Sequence, residues 1–96
     1  MWTDGVEFLA DKCGAYWLLD VIASYQGEAV IRRNERALEF QVWTLKVLEG
    51  SKAVVTMKLD SGEPDLVRQE IEFTDFPMSS VEIWVEGGVA LLPSEH

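Results

Sequence analysis

The chain has 96 residues, 48% apolar and 26% charged, with 17 acidic side chains against 8 basic ones and a formal charge of −9. A chain of this size and balance is an ordinary globular single domain, able to form one core without a metal or disulfide staple. Its acidic surface repels phosphate, so neither nucleic acid nor an anionic membrane is an expected partner.

Asp4, with Glu7 three residues on, has the spacing of a helix N-cap with a capping box, and Thr3 competes for the cap one residue earlier. The helix predicted from there to Cys13 carries Val6, Leu9, Ala10 and Cys13 on one apolar stripe, with Phe8 off its centre. Gly14 closes it. Residues 14–26, GAYWLLDVIASYQ, then predict a second helix. Trp17, Leu18, Val21, Ile22 and Tyr25 form a broad face that must be buried. Tyr16, Asp20 and Ser24 recur every fourth residue and share a separate, polar face, bordered by Leu19 and Ala23. Gly27 is expected to end this helix.

Between residues 28 and 38 the pattern is weak, and a short third helix or an irregular crossover both fit. Arg32, Arg33 and Arg36 gather positive charge there, but Glu28, Glu35 and Glu39 interleave. That is the pattern of a solvated, salt-bridged segment rather than a phosphate site.

From residue 39 the apolar period shortens from about 3.6 to about 2. Residues 39–48 predict a strand with Trp43, Leu45 and Val47 on one face and Phe40 and Val42 on the other. That strand needs either a bulge or cover on both faces, and a central place in the sheet. Residues 52–60 alternate cleanly after a turn at 49–51, and Ser61, Gly62 and Pro64 mark a loop. In a third strand Val67, Ile71 and Phe73, with Gln69 on their parity, alternate with Arg68, Glu70 and Glu72. In a fourth, Val81, Ile83 and Val85 alternate with Glu82, Trp84 and Glu86. Gly87-Gly88 is a hairpin signal leading to a fifth strand at 89–92. The expected architecture is α+β, one domain over residues 1–96, with two N-terminal helices packed on one face of a four- or five-stranded antiparallel meander sheet.

The blocks TDGVEFLA (3–10), AYWLLD (15–20), IASYQ (22–26), FQVWTLKV (40–47), TDFP (74–77) and LLPSEH (91–96) together resemble an uncharacterised family of short bacterial proteins, often plasmid- or phage-borne and known only as a domain of unknown function. The likeness spans nearly the whole chain, residues 27–39 apart. It implies no activity, cofactor or catalytic residue.

Chemistry-bearing residues are few. Cys13 is the single cysteine, so no internal disulfide forms, and His96 is the single histidine and the last residue. Together they fall short of a zinc ligand set, and His96 is a poor base for a serine or cysteine nucleophile. No catalytic residue, metal or cofactor is therefore assigned. The pocket candidates are the stripe Tyr16, Asp20 and Ser24, together with Asp75 just before Phe76-Pro77. Asp20 also reads as an exposed residue or one tied to Tyr16, Ser24 or a backbone amide, and Asp75 as a turn cap. Trp17 and Trp43 are read as core residues, with Trp17→Ala expected to cost about 3 to 5 kcal/mol. Trp84 shares the parity of Glu82 and Glu86, so it marks either a contact surface or a ring packed on Phe40 or Val42.

Two functions follow. The first is a non-enzymatic interaction or regulatory accessory protein, of bacterial or mobile-element origin, that uses the outer sheet face around Trp84 or a sheet edge to bind a protein partner or form a homodimer. The alternative is a small-molecule binder or enzyme with a polar pocket beside the second helix. With no secretory leader and no apolar run of membrane-spanning length, a cytoplasmic setting is expected.

Overall fold

The computed structural model describes residues 1–60 and 62–95, so the expectations for Ser61 in its loop and for His96 lie outside the described residues. Helix α1 is Asp4–Cys13, and its N-cap is Thr3, whose hydroxyl oxygen accepts from the Val6 amide at 3.4 Å. Asp4, expected as the cap, is instead the first helical residue, where its charge still complements the helix dipole. Glu7 closes no capping box, because its carboxylate accepts from Trp2 Nε1 at 2.5 Å and from the Tyr16 hydroxyl at 2.8 Å. Gly14 ends α1 at φ +62°, the left-handed conformation that a side chain would disfavour.

Helix α2 is Tyr16–Tyr25, with Leu18, Leu19 and Ile22 buried. Trp17, Val21 and Tyr25 are only partly buried against the same core. The buried face is thus rotated by about one residue from the expected one: Leu19 enters the core and Trp17 moves to its rim. The weakly patterned stretch that follows forms two short helices, α3 (Ala29–Arg32) and α4 (Glu35–Glu39). Asn34 caps α4, accepting from the amides of Arg36 at 3.0 Å and Ala37 at 3.2 Å. Arg36 does not pair with the interleaved glutamates. Its guanidinium forks onto Glu63 at 3.1 and 2.5 Å.

The strands are β1 (Phe40–Val47), β2 (Ala53–Lys58), β3 (Val67–Ile71), β4 (Ser80–Glu86) and β5 (Val89–Leu91). They form one antiparallel sheet in the order β3-β2-β1-β4-β5. The consecutive order expected of a meander holds from β1 to β3 and from β4 to β5. Residues 72–79, however, carry the chain back past β2 to the other side of β1. A strict meander would leave β1 at an edge, which its apolar residues on both faces disfavour. The returning link crosses the end of the sheet, where the Thr74 amide bonds Ser51 O at 2.7 Å and the Val47 amide bonds Ser79 O at 2.8 Å. Phe76, buried, plugs that end of the core. The register of β1 is unbroken on both sides, so β1 carries no bulge; its second apolar set, Phe40 and Val42, lies on the sheet face opposite the helices and is sheltered only by neighbours such as Trp84.

On the inner face Trp43, Leu45, Val55, Met57 and Ile83 pack with Val6, Leu18, Ile22 and Ile31 into one cluster with the helices. One polar residue of that face is fully buried: Gln41, 2% exposed. Its Oε1 accepts from Trp43 Nε1 at 2.7 Å and from Gln26 Nε2 at 2.9 Å, while its Nε2 donates to Gln26 Oε1 at 2.9 Å and to Ala37 O at 2.8 Å. Tyr25 stacks obliquely on Trp43, ring centroids 5.6 Å apart, and its hydroxyl donates to Gln69 Oε1 at 2.9 Å. Among the described residues no buried side-chain nitrogen or oxygen lacks a partner.

These environments rank three substitutions. Trp43→Ala is expected to cost about 3 to 5 kcal/mol and Trp17→Ala, at the core's rim, about half that. Gln41→Leu, which strands the indole N–H and the Gln26 amide, is expected to cost about 1 to 3 kcal/mol. Urea unfolding midpoints at constant m-value check the order, and a Trp17→Ala loss equal to that of Trp43→Ala would contradict it.

Candidate functional site

The polar stripe of α2 lies on its solvent side. Tyr16 is 40% exposed, and its hydroxyl bond to Glu7, aided by the nearby negative charges of Glu7 and Asp11, raises its pKa above the ordinary phenol value. The Ser24 hydroxyl donates to the Val21 carbonyl at 2.7 Å, within the helix. Asp20 is exposed. Asp75 is exposed too, and the turn it was expected to cap is held by its neighbour: the buried Thr74 accepts through Oγ1 from the Phe76 amide at 3.1 Å. The structure therefore aligns Tyr16, Asp20 and Ser24 on an open helix surface and leaves Asp75 in the link at the end of the sheet.

A concavity does lie beside α2, but on its apolar side. Leu19, Ile22, Ala23 and Gln26 face Trp2, Val85 and Ala90 across a crevice of about 250 Å³. No charged side chain lines it. It exists because residues 1–3 run beside β5, with Trp2 bridged to Ala90, the Thr3 amide donating to Ala90 O at 2.9 Å and the Ala90 amide donating to Met1 O at 2.9 Å. No periodic pattern announces so short a pairing.

A second tie joins that region to residues 93–95. The Glu95 carboxylate accepts from the Thr3 hydroxyl at 2.5 Å, the Leu92 amide at 2.9 Å and the Gly5 amide at 3.3 Å. The hydroxyl bond foremost, and then the amide bonds, hold its pKa below the ordinary glutamate value. Gly5 leaves the space for this, since a Cβ there would lie 2.6 Å from Glu95 Cδ.

The third candidate is the sheet face that the helices leave uncovered. Val42, Val54 and Leu91 are buried on it yet stand outside the main core cluster. The register places Val42 beside Trp84 and Trp84 beside Leu91. The Trp84 ring meets Phe40 edge-on, centroids 5.3 Å apart and planes at 75°, while Trp84 Nε1 donates to Glu82 Oε1 at 2.6 Å. The packing reading of Trp84 holds, and the half-buried ring also borders an open groove with Val42, Leu59 and Asp60. This face carries charge of both signs: Lys46 on β1, Lys58 on β2 and both Arg68 and Glu70 on β3, with Glu82 and Glu86 on β4.

Among the described residues no group of three His, Cys, Asp or Glu could hold a metal ion, and no helix is long and apolar enough to cross a membrane. Residues 1–96 match DUF6876, a family of unknown function. No curated protein and no solved structure matches the chain.

The Glu95 tie has a pH signature. A carboxylate with a depressed folded pKa stabilises above its unfolded value, near 4.5, and that contribution is lost as pH falls through the lower folded value. The thermal midpoint of the wild type should exceed that of Glu95→Gln at neutral pH, and the gap should close below the ordinary glutamate range. A gap independent of pH would show that the carboxylate charge is irrelevant to the tie.

Proposed function

The chain belongs to the DUF6876 family, and because that family carries no assigned activity we propose a function from the surface itself: a small non-enzymatic interaction or regulatory accessory protein that binds through the outer sheet face around Trp84. The observation that supports this reading is the apolar strip of Phe40, Val42, Trp84 and Leu91 on the side of the sheet that no helix covers. An antiparallel sheet with one face in water normally presents polar residues there. Tryptophan set among partly desolvated neighbours is the commonest anchor of protein–protein contacts. The partner is another protein or a second copy of the chain. The resemblance of its sequence blocks to short plasmid- and phage-borne bacterial proteins supports a mobile-element origin as part of this reading, with a cytoplasmic setting.

A second reading, small-molecule binding beside α2, is favoured by the crevice between Leu19, Ile22, Trp2 and Val85. Its uncharged walls fit a neutral apolar ligand, in contrast to the polar pocket expected from Tyr16, Asp20 and Ser24.

Light scattering and capture on immobilised protein test the first reading. The wild type should retain a protein partner through this face, and Trp84→Ala should weaken that capture at least about tenfold, the loss of one hot-spot side chain. Its cost to folding should be close to that of the likewise half-buried Trp17, about half the loss of Trp43→Ala. A wild-type monomer that retains nothing would defeat the reading.

A further inference from the structure

The two edges of the sheet are treated differently. Beside β5 the chain adds residues 1–3, with backbone bonds in both directions between that segment and Ala90. On the other side β3 ends the strand order. An open edge is a template for another strand, and charged side chains along it ordinarily discourage pairing. Here the charges follow a particular pattern: β3 reads Val67-Arg68-Gln69-Glu70-Ile71, opposite charges placed symmetrically about Gln69.

We propose that a second copy of this chain adds its β3 antiparallel to this β3, about a twofold axis at Gln69, joining two five-stranded sheets into one of ten. The inference rests on the reading of the protein as an interaction module and names its partner. In this register Arg68 of each copy lies opposite Glu70 of the other on the outer face, and Val67 opposite Ile71 on the helix side. Centring the axis one residue away would instead set Arg68 against Arg68 or Glu70 against Glu70, and like charges directly opposite are destabilising. The charge pattern therefore selects one register.

Within the chain these two charges have no competing partner across the sheet. The register sets Arg68 beside Thr56 and Glu70 beside Val54 on β2, and neither takes part in the ion pairs formed among the described residues. Both are exposed.

Sedimentation or light scattering on the full chain tests the register through charge swaps. The wild type should be a dimer, whereas Arg68→Glu and Glu70→Arg, each setting like charges opposite, should each weaken dimerisation at least about tenfold. The double variant R68E/E70R should return to within about threefold of the wild type. Mixing the two single variants should also restore a dimer, because every cross-strand pair between those two chains is then of opposite sign. A wild-type monomer, a dimer unaffected by Arg68→Glu, or a double variant and mixture that stay dissociated would each overturn the proposal. A dimer insensitive to both swaps but lost in Trp84→Ala would overturn the edge while sparing the interaction reading. A monomer that also captures no partner would overturn both.

Discussion

One buried amide holds the two layers in register. Gln41 sits on the inner face of β1, and its four hydrogen bonds reach the C-terminal end of α2 through Gln26, the α4 carbonyl of Ala37, and the indole of Trp43. The surrounding core is otherwise aliphatic and aromatic, and such contacts are non-directional. A helix packed on them alone could slide or rotate by a residue at modest cost. The Gln41 network removes that freedom, because any shift strands several polar groups in a low-dielectric interior. It also fixes the Trp43 ring, against which Tyr25 stacks before reaching Gln69 on β3. The polar path thus runs from the α4–β1 junction almost to the open edge of the sheet.

Much of the fold was legible because its elements carry strong periods. The apolar stripe of α1, the alternation in β2 and β4 and the Gly87-Gly88 hairpin all lie where they were expected. The double parity of β1 correctly demanded an interior position, and that demand conflicted with a simple meander. The sheet settles the conflict by sending residues 72–79 past β2. The remainder was hidden for physical reasons. Helices of four and five residues are too short to build an apolar period, so α3 and α4 could not be separated by pattern. Gln41 looks like any surface glutamine until its partners, 15 residues back in Gln26 and nearby in Ala37, are folded around it. Of the site residues, Trp84 was placed on the correct face by parity alone. The stripe of Tyr16, Asp20 and Ser24 was correctly aligned, but periodicity carries no information on whether a face is concave.

The functional surfaces follow from an architecture with an uneven distribution of cover. Helices occupy one side of the sheet, so the apolar strip around Trp84 has only its own neighbours for shelter. Along β3, Arg68 and Glu70 carry opposite charges on either side of Gln69, a pattern that confers orientation on a contact more than strength.

The three residues that run beside β5 have a consequence for how large an assembly can grow. A sheet open at both edges can add copies without end, head to tail, into a fibre. Beside β5 the edge is held by residues 1–3, stitched there through Thr3 and Glu95, so under the proposed β3 pairing a further copy would have to add to a segment of three residues instead of a full strand.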